Sequence, residues 1–317
     1  MQAVAEPAPY KNFTTIIPST ARIENYAWMT PSPGISRYVG HRRAAQLDSI
    51  KYQVENLEYD GYLEVSLRDV DDDQTGGYKM RMNDLTLKSK DPFRARLLLS
   101  TLAAGKSTTC FDASNFFSTT HNLGGAATPA TTVTGGGNYL SFTAASADGV
   151  NHAFAILIHG PDQGVVRPLM FQARKEPKFM TDAGTPQSFK AKKAGYWIDL
   201  EAAAAFGYWW DAVLLEITNT PTLIELSECL DAARQQFRGF TLPTALPTDP
   251  LEYVHEQMQF RPDVSTVVCS TGLEMLFTHL LGEERIGVSV AGSTSGFTNN
   301  IYYNKFGLVT SNYMNVA

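Results

Sequence analysis

The chain has 317 residues, 44% of them hydrophobic and 18% charged, which excludes a disordered polymer and is enough for a substantial core. Lys and Arg total 26 against 32 Asp and Glu, a net charge of −6. That balance excludes a surface that grips phosphate backbones over its whole extent. The length suits two domains or one elaborate one. Cys110, Cys229 and Cys269 are too few and too scattered for a disulfide framework and suit burial in a reducing compartment. No stretch approaches ~18 consecutive apolar residues, so no membrane-spanning helix is expected. Met1 to Tyr10 lacks the basic and apolar regions of a secretory signal.

Residues 1–22, with Pro7, Pro9 and Pro18, read as an extended arm that forms no core alone and lies on a neighbour in an assembly. Ala21 to Met29 is strand-like and ends at the turn cluster Pro31-Ser-Pro-Gly34. Ile35 to Ala45 reads as a short helix carrying Arg37, His41, Arg42 and Arg43, the densest basic patch of the chain. Ser49 to Leu67 alternates as β, with Asp60-Gly61 as a hairpin turn or a bulge. Its acidic side, Glu55, Glu58 and Glu64, suggests a projecting β-arm rather than a core sheet. The acidic run Asp69, Asp71, Asp72 and Asp73 follows, then a helix over about 76–104, with an interruption near Pro92 allowed.

Residues 106–138 are rich in Thr, Ser, Asn and Gly and read as a loop. Strands are expected at Tyr139–Thr143, Ala153–Ile158, Pro168–Ala173, Gln187–Ala191 and Gly207–Ile217. Leu223, Leu226, Leu230, Ala233 and Phe237 recur at helical spacing after Thr222. Val264–Cys269 reads as a buried strand, and Thr271-Gly-Leu-Glu274 as a capping box that opens a further helix. Ile301–Tyr303 and Phe306–Thr310 close the chain as β.

Enzyme and metal motifs fail one at a time. Asp69, Asp71 and Asp73 match the start of a calcium loop, but Gln74 stands where Gly is needed and Met80 where Glu is needed. An acidic helix N-terminus explains the run better. His255-Glu256 begins a zincin helix whose second ligand position is Gln259. Gly292 to Gly296 resembles a nucleophile elbow, except that its centre is Thr294. There is no P-loop and no Cys-x-x-Cys. Cys110 with His121 is a nucleophile pair on paper, in a Thr/Ser-rich context that supplies no positioned base. His121, His152 and His159 read as solvated or hydrogen-bonded histidines, and Tyr208-Trp-Trp210 as a packed strand. The basic patch reads as a solvated helix face or as an intersubunit patch facing Asp69 and Asp71–Asp73 of another copy, with nucleic-acid contact as the remaining alternative.

Several stretches resemble the Mu-like phage major head subunit family. They are Asn25-Tyr-Ala-Trp-Met29 leading to Tyr38-Val-Gly-His-Arg42, and Leu63-Glu-Val-Ser-Leu-Arg-Asp69 followed by Asp71–Asp73. Cys110-Phe-Asp-Ala-Ser-Asn-Phe-Phe117 with His121 is similar to the family's Phe-Asp-Gly segment, with Ala113 in place of its Gly and Asn122 in place of the Pro after its His. Arg167-Pro-Leu-Met-Phe-Gln-Ala-Arg-Lys-Glu-Pro-Lys-Phe179 is the best match, and Ala205-Phe-Gly-Tyr-Trp-Trp210 is a looser one. The strand and helix within Phe260–Glu284 fit in pattern, and the far C-terminus matches poorly.

The resemblance implies an α+β chain with the HK97-like major capsid protein fold. Residues 1–22 become an N-terminal arm and 23–68 an extended E-loop. Residues 69–221 become a peripheral domain with a spine helix and the strands of one sheet, and 222–317 an axial α/β domain. It implies a non-enzymatic subunit with no cofactor, which forms the hexamers and pentamers of an icosahedral head around double-stranded DNA. A separate scaffold, a maturation protease, a portal and a cement or decoration protein are the implied partners. Sequence-specific DNA contacts and a membrane are not. The implied place is the virion, assembled in the host cytoplasm. A tail or connector protein and an α/β enzyme are the alternatives.

Overall fold

Two β-sheets organise the chain, and each draws its strands from distant parts of the sequence. The structure is a computed structural model and describes residues 9–26, 52–73, 76–121, 137–159, 166–240, 265–288 and 296–315. The basic patch Arg37, His41, Arg42 and Arg43, the expected helix at 35–45, His255-Glu256 and most of the 292–296 elbow lie outside the described residues. In chain order come β1 (Thr14–Pro18), β2 (Ile23–Asn25), β3 (Gln53–Glu55), β4 (Leu57–Ser66), α1 (Leu67–Asp71), α2 (Gly77–Lys88) and α3 (Asp91–Ala103). Then follow β5 (Tyr139–Thr143), β6 (Asn151–Ile158), β7 (Leu169–Thr181), α4 (Pro186–Ala191), β8 (Lys193–Phe206), β9 (Ala212–Thr218) and α5 (Leu223–Gly239). The last are β10 (Ser265–Cys269), α6 (Glu274–Gly282), β11 (Arg285–Val288), β12 (Gly296–Asn299) and β13 (Gly307–Thr310).

The first sheet has the order β1-β7-β8-β4. Its centre is the long β7–β8 hairpin, buried near Leu169 and Phe206 and open towards its tip. β4 is no free arm: it pairs antiparallel with β8 from Leu57↔Ala202 to Ser66↔Lys193. Asp60-Gly61 lies inside that unbroken ladder, with neither a turn nor a bulge. An added Cβ at Gly61 would stand 3.0 Å from Leu85 of α2, so the helix rests close on the strand there. β8 was not foreseen. Ala202–Ala205 favour a helix by intrinsic propensity, but pairing with β7 on one side and β4 on the other overrides it.

The expected arm at 1–22 is in part built into its own subunit. β1 pairs in parallel with β7, Phe13 is fully buried, and the Tyr10 hydroxyl donates to Asp91 Oδ1 at 2.5 Å. Two aromatic side chains of the segment find room against α3 and β7, and burying each is worth ~1.5–3 kcal/mol.

The long helix breaks at Ser89-Lys90 into α2 and α3, with Pro92 in the first turn of α3. A proline there is missing an N–H that a first turn does not use. The Gln187–Ala191 strand is the helix α4 instead, because Pro186 opens it and the Thr185 hydroxyl accepts the Ser188 N–H at 3.3 Å. Residues 301–303 form a turn rather than a strand.

The second sheet has the order β13-β10-β6-β9-β5. β10 runs antiparallel to β6 and parallel to β13, and β9 antiparallel to β6 and parallel to β5. The strands between 139 and 218 therefore divide between two sheets instead of forming one. β6 and β9 are almost continuously apolar and buried, as central strands covered on both faces must be. α5 buries Leu226, Leu230, Ala233 and Phe237. The capping box expected at 271–274 does not form, since a 3-10 turn occupies Thr271–Leu273. A capping box does open α5, through Thr222 and Glu225. Trp209 and Trp210 sit in a 3-10 turn just before β9 rather than in the strand.

Candidate assembly surfaces and a buried polar centre

Of the eight residues expected at intersubunit contacts, the four basic ones fall between β2 and β3. Those strands pair antiparallel from Ile23↔Glu55 to Asn25↔Gln53. The ribbon is anchored on the first sheet: the Tyr26 hydroxyl donates to Gln172 Oε1 at 2.6 Å, and the Tyr52 hydroxyl accepts the Phe206 N–H at 3.2 Å. The four acidic residues sit around the start of the helices. Asp69 lies exposed in the first turn of α1, and Asp71 ends that helix. Asp72 stands 3.8 Å from Arg68. Asp73 accepts the N–H groups of Gly77 and Tyr78 at 3.1 and 3.0 Å and so caps α2. This is the acidic helix N-terminus that the sequence suggested, stabilised by the helix dipole.

Alternation along β4 separates two faces. Tyr59, Gly61, Leu63 and Val65 turn to α2 and α3, with Tyr59 edge-on to Phe93 at 4.9 Å. Glu58, Asp60, Tyr62 and Glu64 turn to solvent. Asp60 lies directly across from Asp199, and Glu58 across from Glu201. Glu201 is neutralised by Arg174 and Lys175. The hydrogen bond from Lys175, then the charges of Arg174 and Lys175, hold its carboxyl below the usual range against the effect of burial. Large apolar groups also stand exposed: Tyr62 on β4, Met80 and Leu87 on α2, and Phe189 near the hairpin tip.

A second feature was not legible from motifs. The segment 106–121 folds tightly and buries Phe111, Phe116 and Phe117. Asp112, His121 and Asn138 are buried among them. Asn138 donates from Nδ2 to the carbonyls of Phe116 and Trp209 at 2.8 and 3.0 Å, which fixes its Oδ1 as an acceptor. That oxygen accepts the Ser118 N–H at 3.0 Å and lies 3.0 Å from His121 Nε2. His121 therefore carries its proton at Nε2. Its ring stacks on Trp209 with centroids 3.9 Å apart. Its Nδ1 lies 2.7 Å from Asp112 Oδ2, while Asp112 Oδ1 accepts from the Cys110 thiol at 2.8 Å and from the Ser114 N–H at 3.0 Å.

His121 is thus a hydrogen-bonded histidine, as expected, though it is buried rather than part of an open loop. Its base is positioned towards Asp112, not towards Cys110. Burial pushes the Cys110 thiol up, and the Asp112 charge adds to the effect, so it is not an activated nucleophile. Burial also pushes Asp112 up, but hydrogen bonds and charge from His121, with those from Cys110 and Ser114, outweigh it and hold the carboxyl low. The donor atoms of Cys110, Asp112 and His121 all lie within 4.8 Å of one another, the group among the described residues best placed to hold a metal ion. His152 and His159 bond to Thr220 and Thr266 hydroxyls at 3.1 and 3.0 Å.

The two interleaved sheets, the helix pair and the anchored ribbon make up a phage capsid protein fold. The capsid of bacteriophage JBD30 has the same architecture, with a TM-score of 0.68 over 99% of this chain and 93% of that one at 18% identity. The model of the family described as Mu-like prophage major head subunit gpT matches residues 2–314, and the chain belongs to that family. The chain is 27% identical over 219 residues to the Mu-like prophage FluMu major head subunit of Haemophilus influenzae, which is 64% of each chain. It is 24% identical over 212 residues to the major capsid protein of Escherichia phage Mu, covering 66% of this chain and 67% of that one. The alignment with the Haemophilus relative therefore spans just under two thirds of that protein's length.

Proposed function

We propose that this chain is the major capsid protein of a tailed phage, self-assembling into the hexamers and pentamers of an icosahedral head that encloses double-stranded DNA. The observation that carries the reading is the family match along nearly the whole chain. A closed shell of identical copies needs heterologous contacts that close by symmetry. Each contact can be modest, because many act together. The exposed apolar groups on α2 and β4, and the outer edge of β4, which no strand among the described residues pairs, suit such contacts. A net charge of −6 suits a container that must release its DNA.

In this reading residues 1–22 serve as the N-terminal arm and 23–68 as the E-loop. The peripheral domain, from 69, is centred on β7, β8 and the helix pair. The axial domain takes 222–317 together with β5, β6 and β9. Arg37, His41, Arg42 and Arg43 contact the acidic run Asp69, Asp71, Asp72 and Asp73 of an adjacent copy. A scaffold, a maturation protease and a portal act with the chain during assembly in the host cytoplasm, and a decoration protein binds the finished head. Negative-stain microscopy of the purified chain, alone and with a co-expressed scaffold, tests the reading. Closed shells are expected. Rings or tubes would point to a tail or connector protein, and small monodisperse particles under both conditions would overturn it.

A further inference from the structure

We propose that Cys110, Asp112 and His121 form a zinc-type divalent-metal site that cross-links the two ends of the folded segment 110–121. The argument begins with the histidine. A metal-bound histidine gives one ring nitrogen to the ion and donates from the other to a fixed acceptor. Asn138 Oδ1 is that acceptor, 3.0 Å from Nε2, and is locked by the bonds of its own amide to Phe116 and Trp209. The tautomer that leaves Nδ1 free to ligate is therefore preset, and Nδ1 is the nitrogen that faces Asp112.

The second argument is charge. Besides the proton at His121 Nε2, the metal-free group holds two protons, one on the Cys110 sulfur and one between His121 Nδ1 and Asp112 Oδ2. A divalent ion replaces both: the S–H bond breaks, the shared proton leaves, and bonds form from the ion to Sγ, Nδ1 and a carboxylate oxygen. Two protons pass to solvent and two positive charges enter, so the charge of this buried site does not change. Metal uptake here avoids the penalty of burying net charge. Nearly complete burial of the His121 and Asp112 side chains keeps the ligands from bulk water.

The third argument is the ligand set. One sulfur, one nitrogen and one oxygen suit zinc rather than calcium or magnesium, which take oxygen ligands. The fourth position falls to a water or to the second Asp112 oxygen. The two contacts at 2.7 and 2.8 Å are shorter than ligand–ligand spacings around a tetrahedral ion, so the group must open by about 0.6–0.7 Å. Neither Cys229 nor Cys269 belongs to this group, and both are buried elsewhere.

The test uses the full chain, reduced and stripped with a chelator, then dialysed against Co²⁺ or Zn²⁺ alone. Bound metal is measured by elemental analysis, and Co²⁺ also by absorption. The expected result is about one ion per chain with a thiolate-to-cobalt charge-transfer band. Cys110→Ser preserves the hydrogen bond to Asp112 and so the fold. It should lose the band and bind at least about tenfold more weakly. Cys229→Ser and Cys269→Ser should keep both. Zn²⁺ should raise the melting temperature of the native chain and not that of Cys110→Ser. Equal metal content in the native chain and Cys110→Ser, a band that follows Cys229 or Cys269, or no bound metal at all would each overturn the proposal and leave a purely hydrogen-bonded cluster.

Discussion

Asp211 is buried in the turn before β9, and neither of its carboxylate oxygens has a hydrogen-bond partner among the described residues. Burial pushes its pKa well above the usual carboxylate value. The folded state therefore favours the protonated acid. Its contribution to stability is complete below the unfolded pKa near ~4 and is lost as pH rises towards the folded value. Asp211→Asn removes this dependence. Thermal melts should show the variant above the native protein at pH 8, with the gap closing towards pH 4. A constant gap would contradict the assignment. Gly207 makes a different demand: a Cβ there would stand 1.9 Å from the Arg167 carbonyl oxygen. The Gly207 N–H donates to Pro168 O at 2.8 Å and joins the ends of β7 and β8. Gly207→Ala should cost about 1–3 kcal/mol, read as a lower urea midpoint. Neither residue announces itself in the sequence, because an orphan carboxylate and a close backbone approach are products of packing.

At the scale of elements, the sequence was legible where one face of one element decides the outcome. α5 carries its apolar residues at helical spacing and forms as expected. β5, β10 and β13 lie close to their expected places. It was not legible where neighbours decide. The alanine run of β8 becomes a strand only between β7 and β4. The buried centre joins Asp112 and His121 across a stretch that composition marks as open loop, and Asn138 completes it from the far end of that stretch. Thr-x-x-Glu occurs at 222–225 and at 271–274, and only the first pair caps a helix. The second is pre-empted because Thr271 Oγ1 donates to Asn315 Oδ1 at 3.1 Å and a 3-10 turn intervenes. Thr222→Ala should therefore destabilise the fold by about 1 kcal/mol. Thr271→Ala should leave the helical signal of α6 unchanged. Circular dichroism melts of the two variants check both.

For the whole molecule the question is how copies meet. The basic residues Arg37, His41, Arg42 and Arg43 are the candidate contact. Arg42→Glu combined with Arg43→Glu should leave a soluble subunit with unchanged melting and greatly reduce the yield of closed particles. Sedimentation and negative-stain microscopy read that yield, and normal particles would remove the patch from the assembly surface. Fully exposed ion pairs are worth at most about 1 kcal/mol each, so the effect depends on repetition of the contact around the shell. Raised salt should weaken assembly in the same direction.

The path of the chain through the two sheets bears on the order in which the subunit is made. The chain lays down β5 and β6 in the second sheet, leaves for β7 and β8 in the first, and returns for β9. The strand that covers the other edge of β6 is β10, at 265–269, and β13 at 307–310 completes that sheet. A nascent chain therefore exposes a bare edge of β6 until residues 265–269 have left the ribosome. Closure of the second sheet waits for β10 and β13, so a chain that stops before them has no complete second sheet.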